Sequence, residues 1–200
     1  MPVEVIGAET RYTPVSLSET EFAALRQTIA SRGTTRMVLL PVTLIGWSAL
    51  SLLLLLFSEV PVGCLLTLAV LVGGFEAIHA LHVGVERIGR YLQVFYETGS
   101  DAPRWETTAM AVGPSLPGGG IDPLFSVVFI CATFLNAIPA LLPQPTTLEL
   151  GVVGALHAAF VFRVIRARGA AARQRAVELE TYRALRNEGV PGLRAPGSGP

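Results

Sequence analysis

The sequence predicts an all-α integral membrane protein, a four-helix bundle with helical extensions into the cytoplasm, and three observations carry that reading. The chain of 200 residues has a mean hydropathy of +0.54 and is 51% apolar, which is more apolar than an ordinary water-soluble fold. The excess is gathered into four windows, at 37–57, 62–83, 123–142 and 148–165. Each approaches the roughly 20 residues a helix needs to cross about 30 Å of hydrocarbon, and each is apolar nearly all round. The third observation is charge placement. Net charge is zero, yet all 15 basic residues are arginine and none lies between windows one and two or between windows three and four. The positive-inside rule then puts both termini and the long central segment in the cytoplasm, with the inner (plasma) membrane as the location.

The N-terminal segment, 1–36, is polar, so the window after it is expected to stay as an anchor rather than be cleaved as a signal peptide. Two alternating runs, 3–6 and 11–15, read as a small hairpin or extended chain. Ser18 and Glu21 have the spacing of a capping box, and Phe22, Leu25 and Ile29 recur on one face before Gly33. That pattern predicts a short amphipathic helix over 18–32, stopped at Gly33.

The first hairpin occupies 37–98. Pro41 falls in the opening turns of the first span, where a missing N–H does little harm, and the link through Pro61 is short enough to make the first two spans antiparallel. Gly63, Ala69, Gly73, Gly74, Ala77 and Ala80 thin the second span and permit close helix packing. Past His82 its apolar positions narrow to one stripe, Val85, Ile88, Leu92 and Phe95, while Glu86 and Arg90 form an i,i+4 pair. The second helix is therefore expected to run on into water.

Residues 99–120 are rich in Gly, Pro and Ser and read as a mobile cytoplasmic loop anchored at Trp105 and Glu106. The second hairpin fills 121–188. Asp122 and Pro123 are expected to start its first helix as N-cap and N1, and Pro139 to bend it. Its second helix passes His157 and Arg163 and continues as a cytoplasmic helix bearing Leu179, Tyr182 and Leu185, followed by a flexible tail at 189–200.

Ionisable side chains at membrane depth are costly and point to function or to a packing role. Glu76, His79 and His82, with Glu86 beyond them, share one side of the second helix and form the candidate proton or metal site. Imidazole and carboxylate suit Zn or Fe, but a di-iron bundle needs two Glu-x-x-His pairs, and this chain has one. Structural locking of the long helix leads, ahead of a proton switch and then a metal site. Asn136 and His157 fall at similar depths and are expected to bond across helices. Cys64 and Cys131 read as core residues. No nucleophile elbow and no phosphate loop is present, nor are arginines interleaved with aromatics for nucleic acid.

The composition thus favours a non-enzymatic assembly, scaffold or sensor component. It would associate with itself or with another membrane protein within the lipid bilayer, through an interaction face of Ile88, Leu92, Phe95, Leu179, Tyr182 and Leu185. The alternative is a proton- or metal-linked transporter or membrane enzyme built on the Glu/His cluster.

Overall fold

A computed structural model describes residues 17–57, 60–97, 104–112, 124–142 and 144–188. The N-terminal hairpin, the Asp122–Pro123 helix start and the C-terminal tail expected from sequence lie outside these residues. Among the described residues five α-helices follow in order: α1 Leu17–Phe57, α2 Cys64–Phe95, α3 Trp105–Val112, α4 Ser126–Ala137 and α5 Thr147–Glu188. Short 3₁₀ turns at Pro61–Gly63 and Ile138–Leu141 lead into α2 and out of α4. Three stretches, Glu19–Phe57, Pro61–Phe95 and Thr147–Asn187, are long and apolar enough to cross a membrane. Ser126–Leu141 is a shorter apolar helix.

Two helices differ from expectation. The N-terminal amphipathic helix does not stop at Gly33; α1 runs unbroken for 41 residues with Pro41 inside it. A helical glycine costs only about 1 kcal/mol relative to alanine, and packing of α1 along α2 outweighs it. Pro41 is consequently an interior proline, and the carbonyl of Met37 lacks its usual i+4 donor. The third window is the second exception. Its α-helix begins only at Ser126, after Phe125 in the left-handed region at φ 52°, and ends at Ala137. Pro139 has no N–H to give Leu135, and the helix tightens there into the 3₁₀ turn; Ile138 donates to the Leu135 carbonyl three residues back. At standard rises α4 and its 3₁₀ turn measure together about 26 Å, just short of the hydrocarbon thickness.

Helix α2 is the centre of the bundle, with α1, α4 and α5 all packed against it. Leu71, Phe75, Ile78, Phe129 and Val164 are fully buried. Phe75 makes edge-to-face contacts with Phe129 at 5.3 Å and Phe160 at 5.8 Å. At Gly74 α1 comes close, because a Cβ there would strike the side chain of Thr43. Large apolar side chains such as Ile45, Leu56, Phe134 and Phe162 point outward, the arrangement of a bundle whose solvent is lipid.

Beyond the apolar layer, at the arginine-bearing end, the outer halves of α1, α2 and α5 stay together, and α3 packs on α2. Phe22 meets Tyr96 at 5.5 Å, while Tyr182 packs edge-on to Tyr91 at 6.0 Å and to Phe95 at 6.4 Å. The amphipathic stripe of α2 therefore finds its cover inside the chain.

Candidate functional site

The polar side chains within the apolar layer fall into two groups at different levels. Toward the turn end, Asn136 on α4 joins three other helices. Its Oδ1 accepts from Trp47 Nε1 on α1 at 2.8 Å and from the Thr67 hydroxyl on α2 at 2.5 Å. Its Nδ2 donates to the Cys64 carbonyl at 2.8 Å and to His157 Nε2 on α5 at 3.0 Å. The single Thr67 proton is shared with the Cys64 carbonyl, 2.8 Å away. The ring of His157 is fixed from behind: Nδ1 lies 2.7 Å from the Val153 carbonyl, which can only accept, so Nδ1 carries the proton and Nε2 is the acceptor that Asn136 requires. All four hydrogen-bonding positions of the amide are filled. Asn136 and His157 are 3% and 7% exposed, so a missing partner would leave a polar group without water to replace it.

Closer to the arginine-bearing end lies the Glu/His group, and its members diverge. The Glu76 carboxylate accepts from Arg163 Nη2 on α5 at 2.8 Å. His79 stands beside this pair, its Nδ1 3.5 Å from the same Arg163 nitrogen and 3.9 Å from Glu76. His82 turns the other way, toward α1, and its Nδ1 accepts from Arg36 Nη1 at 3.2 Å. Glu86 is drawn further off by Arg90, at 3.1 Å. Among the described residues no group of three or more His, Cys, Asp or Glu side chains is placed to hold a metal. The geometry gives a direct reason: guanidinium groups already stand against Glu76 and His82. On α2, fully buried Leu71 and Phe75 lie between Thr67, at the Asn136 level, and Glu76.

Outside the apolar layer, Arg90 is 3% exposed and lies between Glu86 and Glu178, whose carboxylate it reaches at 2.7 Å. Glu178 also accepts from Gln174 at 2.7 Å and from Arg87 at 3.4 Å. Burial pushes its pKa up, but the hydrogen bonds from Gln174 and Arg90 and the two nearby guanidinium charges outweigh burial and hold it below the usual carboxylate range. Arg186 completes the contact by donating to the Val94 carbonyl at 3.0 Å, one of the last-turn acceptors of α2 that has no helical partner.

On the opposite side Glu97 accepts from the backbone N–H groups of Glu106 and Thr107 at 2.7 and 2.8 Å and from the Thr107 hydroxyl at 2.8 Å. It therefore caps the start of α3. Glu106 pairs with Arg26 on α1 at 2.9 Å and lies over Gly89, where a Cβ would approach it to 3.0 Å. Burial, with Glu97 and Glu86 nearby, raises the Glu106 pKa against the pull of Arg26. The cavity beneath, about 50 Å³ and lined by Ile29, Val85, Glu86, Gly89 and Glu106, has room for water but not for a typical substrate.

The residues expected to form an outward interaction face are largely turned inward. Leu92 is fully buried, Ile88, Phe95, Leu179 and Tyr182 are half-buried, and Leu185 alone is exposed. Sequence reasoning missed Arg163 and Arg36 as partners. An unpaired intramembrane carboxylate calls for a cation at its own level, and Arg163, only six residues past His157, was the arginine closest to that level. It also missed the cap of α5, where Thr146 and Glu149 bond reciprocally at 2.8 and 3.3 Å, although Thr-x-x-Glu is a legible signature. No family model, curated protein or solved structure matches this chain.

Proposed function

We propose that this protein is a non-enzymatic component of the inner membrane, crossing it four times with both ends in the cytoplasm. In this reading the polar residues of the apolar layer hold the bundle in one arrangement, and the protein acts by associating with itself. One observation carries it: Glu76, His79, His82, Asn136 and His157, the side chains best suited to chemistry, each face a side chain of a neighbouring helix. The fourth crossing is Ser126–Leu141, supported by its outward apolar residues Phe134, Leu135 and Leu141. The arginine-bearing end would form a firm cytoplasmic platform of α1, α2, α3 and α5.

The test sets this reading against metal- or proton-linked catalysis. Protein purified without chelator should contain no stoichiometric Zn or Fe, and single-molecule photobleaching in lipid vesicles should count more than one copy per particle. One metal per chain that disappears in the Glu76→Gln, His79→Ala double variant would overturn the proposal. So would a strictly monomeric protein.

A further inference from the structure

The Glu76–Arg163 pair is half finished. Arg163 uses a single nitrogen toward Glu76 and His79, and Glu76 a single oxygen toward Arg163. Among the described residues Arg163 Nε and Nη1 and Glu76 Oε1 make no hydrogen bond, and the two side chains are 42% and 40% exposed. Glu76 lies 14 residues beyond Val62 in sequence, about 21 Å along the helix and thus roughly 9 Å inside the hydrocarbon boundary. Among the described residues no neighbouring helix meets those open positions. Left against lipid, an ion pair with three unmet hydrogen-bonding atoms is a costly arrangement.

We infer that a second copy of this chain covers the pair, with Arg163 of each copy donating to Glu76 of the other across a two-fold axis along the membrane normal. Charge complementarity selects this occupant. A patch holding one cation and one anion at one level is complementary to itself, and rotation about the membrane normal preserves depth. The neighbouring surface permits the approach. On α2, exposed Ala69, Gly73, Ala77 and Ala80 lie beside Glu76, forming a small-residue face that lets backbones come close. The adjacent glycines Gly73 and Gly74 separate in role. Gly74 is needed inside the chain by Thr43, whereas a Cβ at Gly73 meets nothing within 4 Å.

This inference rests on the self-association proposed above and gives its location. The experiment uses the full chain in phospholipid vesicles at low protein-to-lipid ratio, with copy number counted by photobleaching. Gly73→Leu should leave the monomer's thermal unfolding unchanged and weaken dimerisation at least tenfold, and Arg163→Gln should weaken it as well. In a Cys131→Ala background, Ala77→Cys should cross-link between copies under mild oxidation, whereas Leu52→Cys, on the outward face of α1, should not. A dimer that persists in Gly73→Leu, or that cross-links at Leu52→Cys in preference to Ala77→Cys, would sink this location while leaving self-association intact. A wild-type monomer would remove both.

Discussion

Replacing Asn136 with leucine tests whether the buried amide holds the bundle together. Leucine has the same number and branching of side-chain heavy atoms and suits an apolar layer, so the main loss is one of hydrogen bonds. Two neighbours lose the partner shown for them, Trp47 Nε1 and His157 Nε2, whereas Thr67 and the Cys64 carbonyl keep each other. Interhelical hydrogen bonds in membranes average about 0.6 kcal/mol and reach about 1.7, so four of them set a floor near 2 kcal/mol. Two orphaned buried groups at about 1–3 kcal/mol each set a ceiling near 6. We expect about 3 kcal/mol, a hundredfold or more in the folded-to-unfolded ratio. Reversible unfolding in bicelles, followed by steric trapping, reads this directly. His157→Leu removes the bond to Asn136 and the one to the Val153 carbonyl, and leaves the Asn136 amide its Cys64 acceptor, so it should cost about 1 kcal/mol. An Asn136→Leu variant within about 0.5 kcal/mol of the parent would refute the argument that this network is worth more than background substitution noise.

Two other perturbations separate close packing from open surface and ion pairing from apolar contact. Gly74→Leu forces a side chain into Thr43 and should destabilise the monomer by about 2 kcal/mol or more; equal stability of Gly74→Leu and Gly73→Leu would contradict the α1–α2 geometry. Glu178 has a folded pKa below its unfolded value, so its stabilising contribution is complete above about pH 4.3 and is lost as pH falls through the depressed folded value. Hydrogen-exchange protection over 174–188, taken relative to the intrinsic amide rate at each pH, should accordingly fall in acid, and Glu178→Gln should show the reduced protection already at neutral pH. Protection factors that are independent of pH in the parent would show that the aromatic contacts of Tyr182 alone hold α5 to α2.

The path from sequence to structure succeeded where one residue's environment followed from its own chemistry. Asn136 and His157 could be paired because amide and imidazole at one depth in an apolar layer have few other partners. The extension of α2 past His82 was legible because its apolar positions narrow from all round to one stripe. Gly33 misled, since helix propensity is a small term that packing of α1 along α2 overrides. Residues 123–142 misled in the opposite direction: hydropathy reports apolar length but is blind to a left-handed Phe125 and to the tightening at Pro139.

The partners of the charged residues needed the fold. Reading along one helix groups Glu76, His79, His82 and Glu86, because spacing by three and four places them on one side. With the helices packed that group separates, since its members turn to three different arginines: Arg163 from α5, Arg36 from α1, Arg90 from α2 itself. Hydropathy and arginine placement, which are sums over many residues, were fixed by composition and order alone. Which cation meets which carboxylate depends on the rotation of one helix against another, a quantity set by interdigitating side chains such as Phe75, Phe129 and Phe160, and that became visible only once the helices were packed.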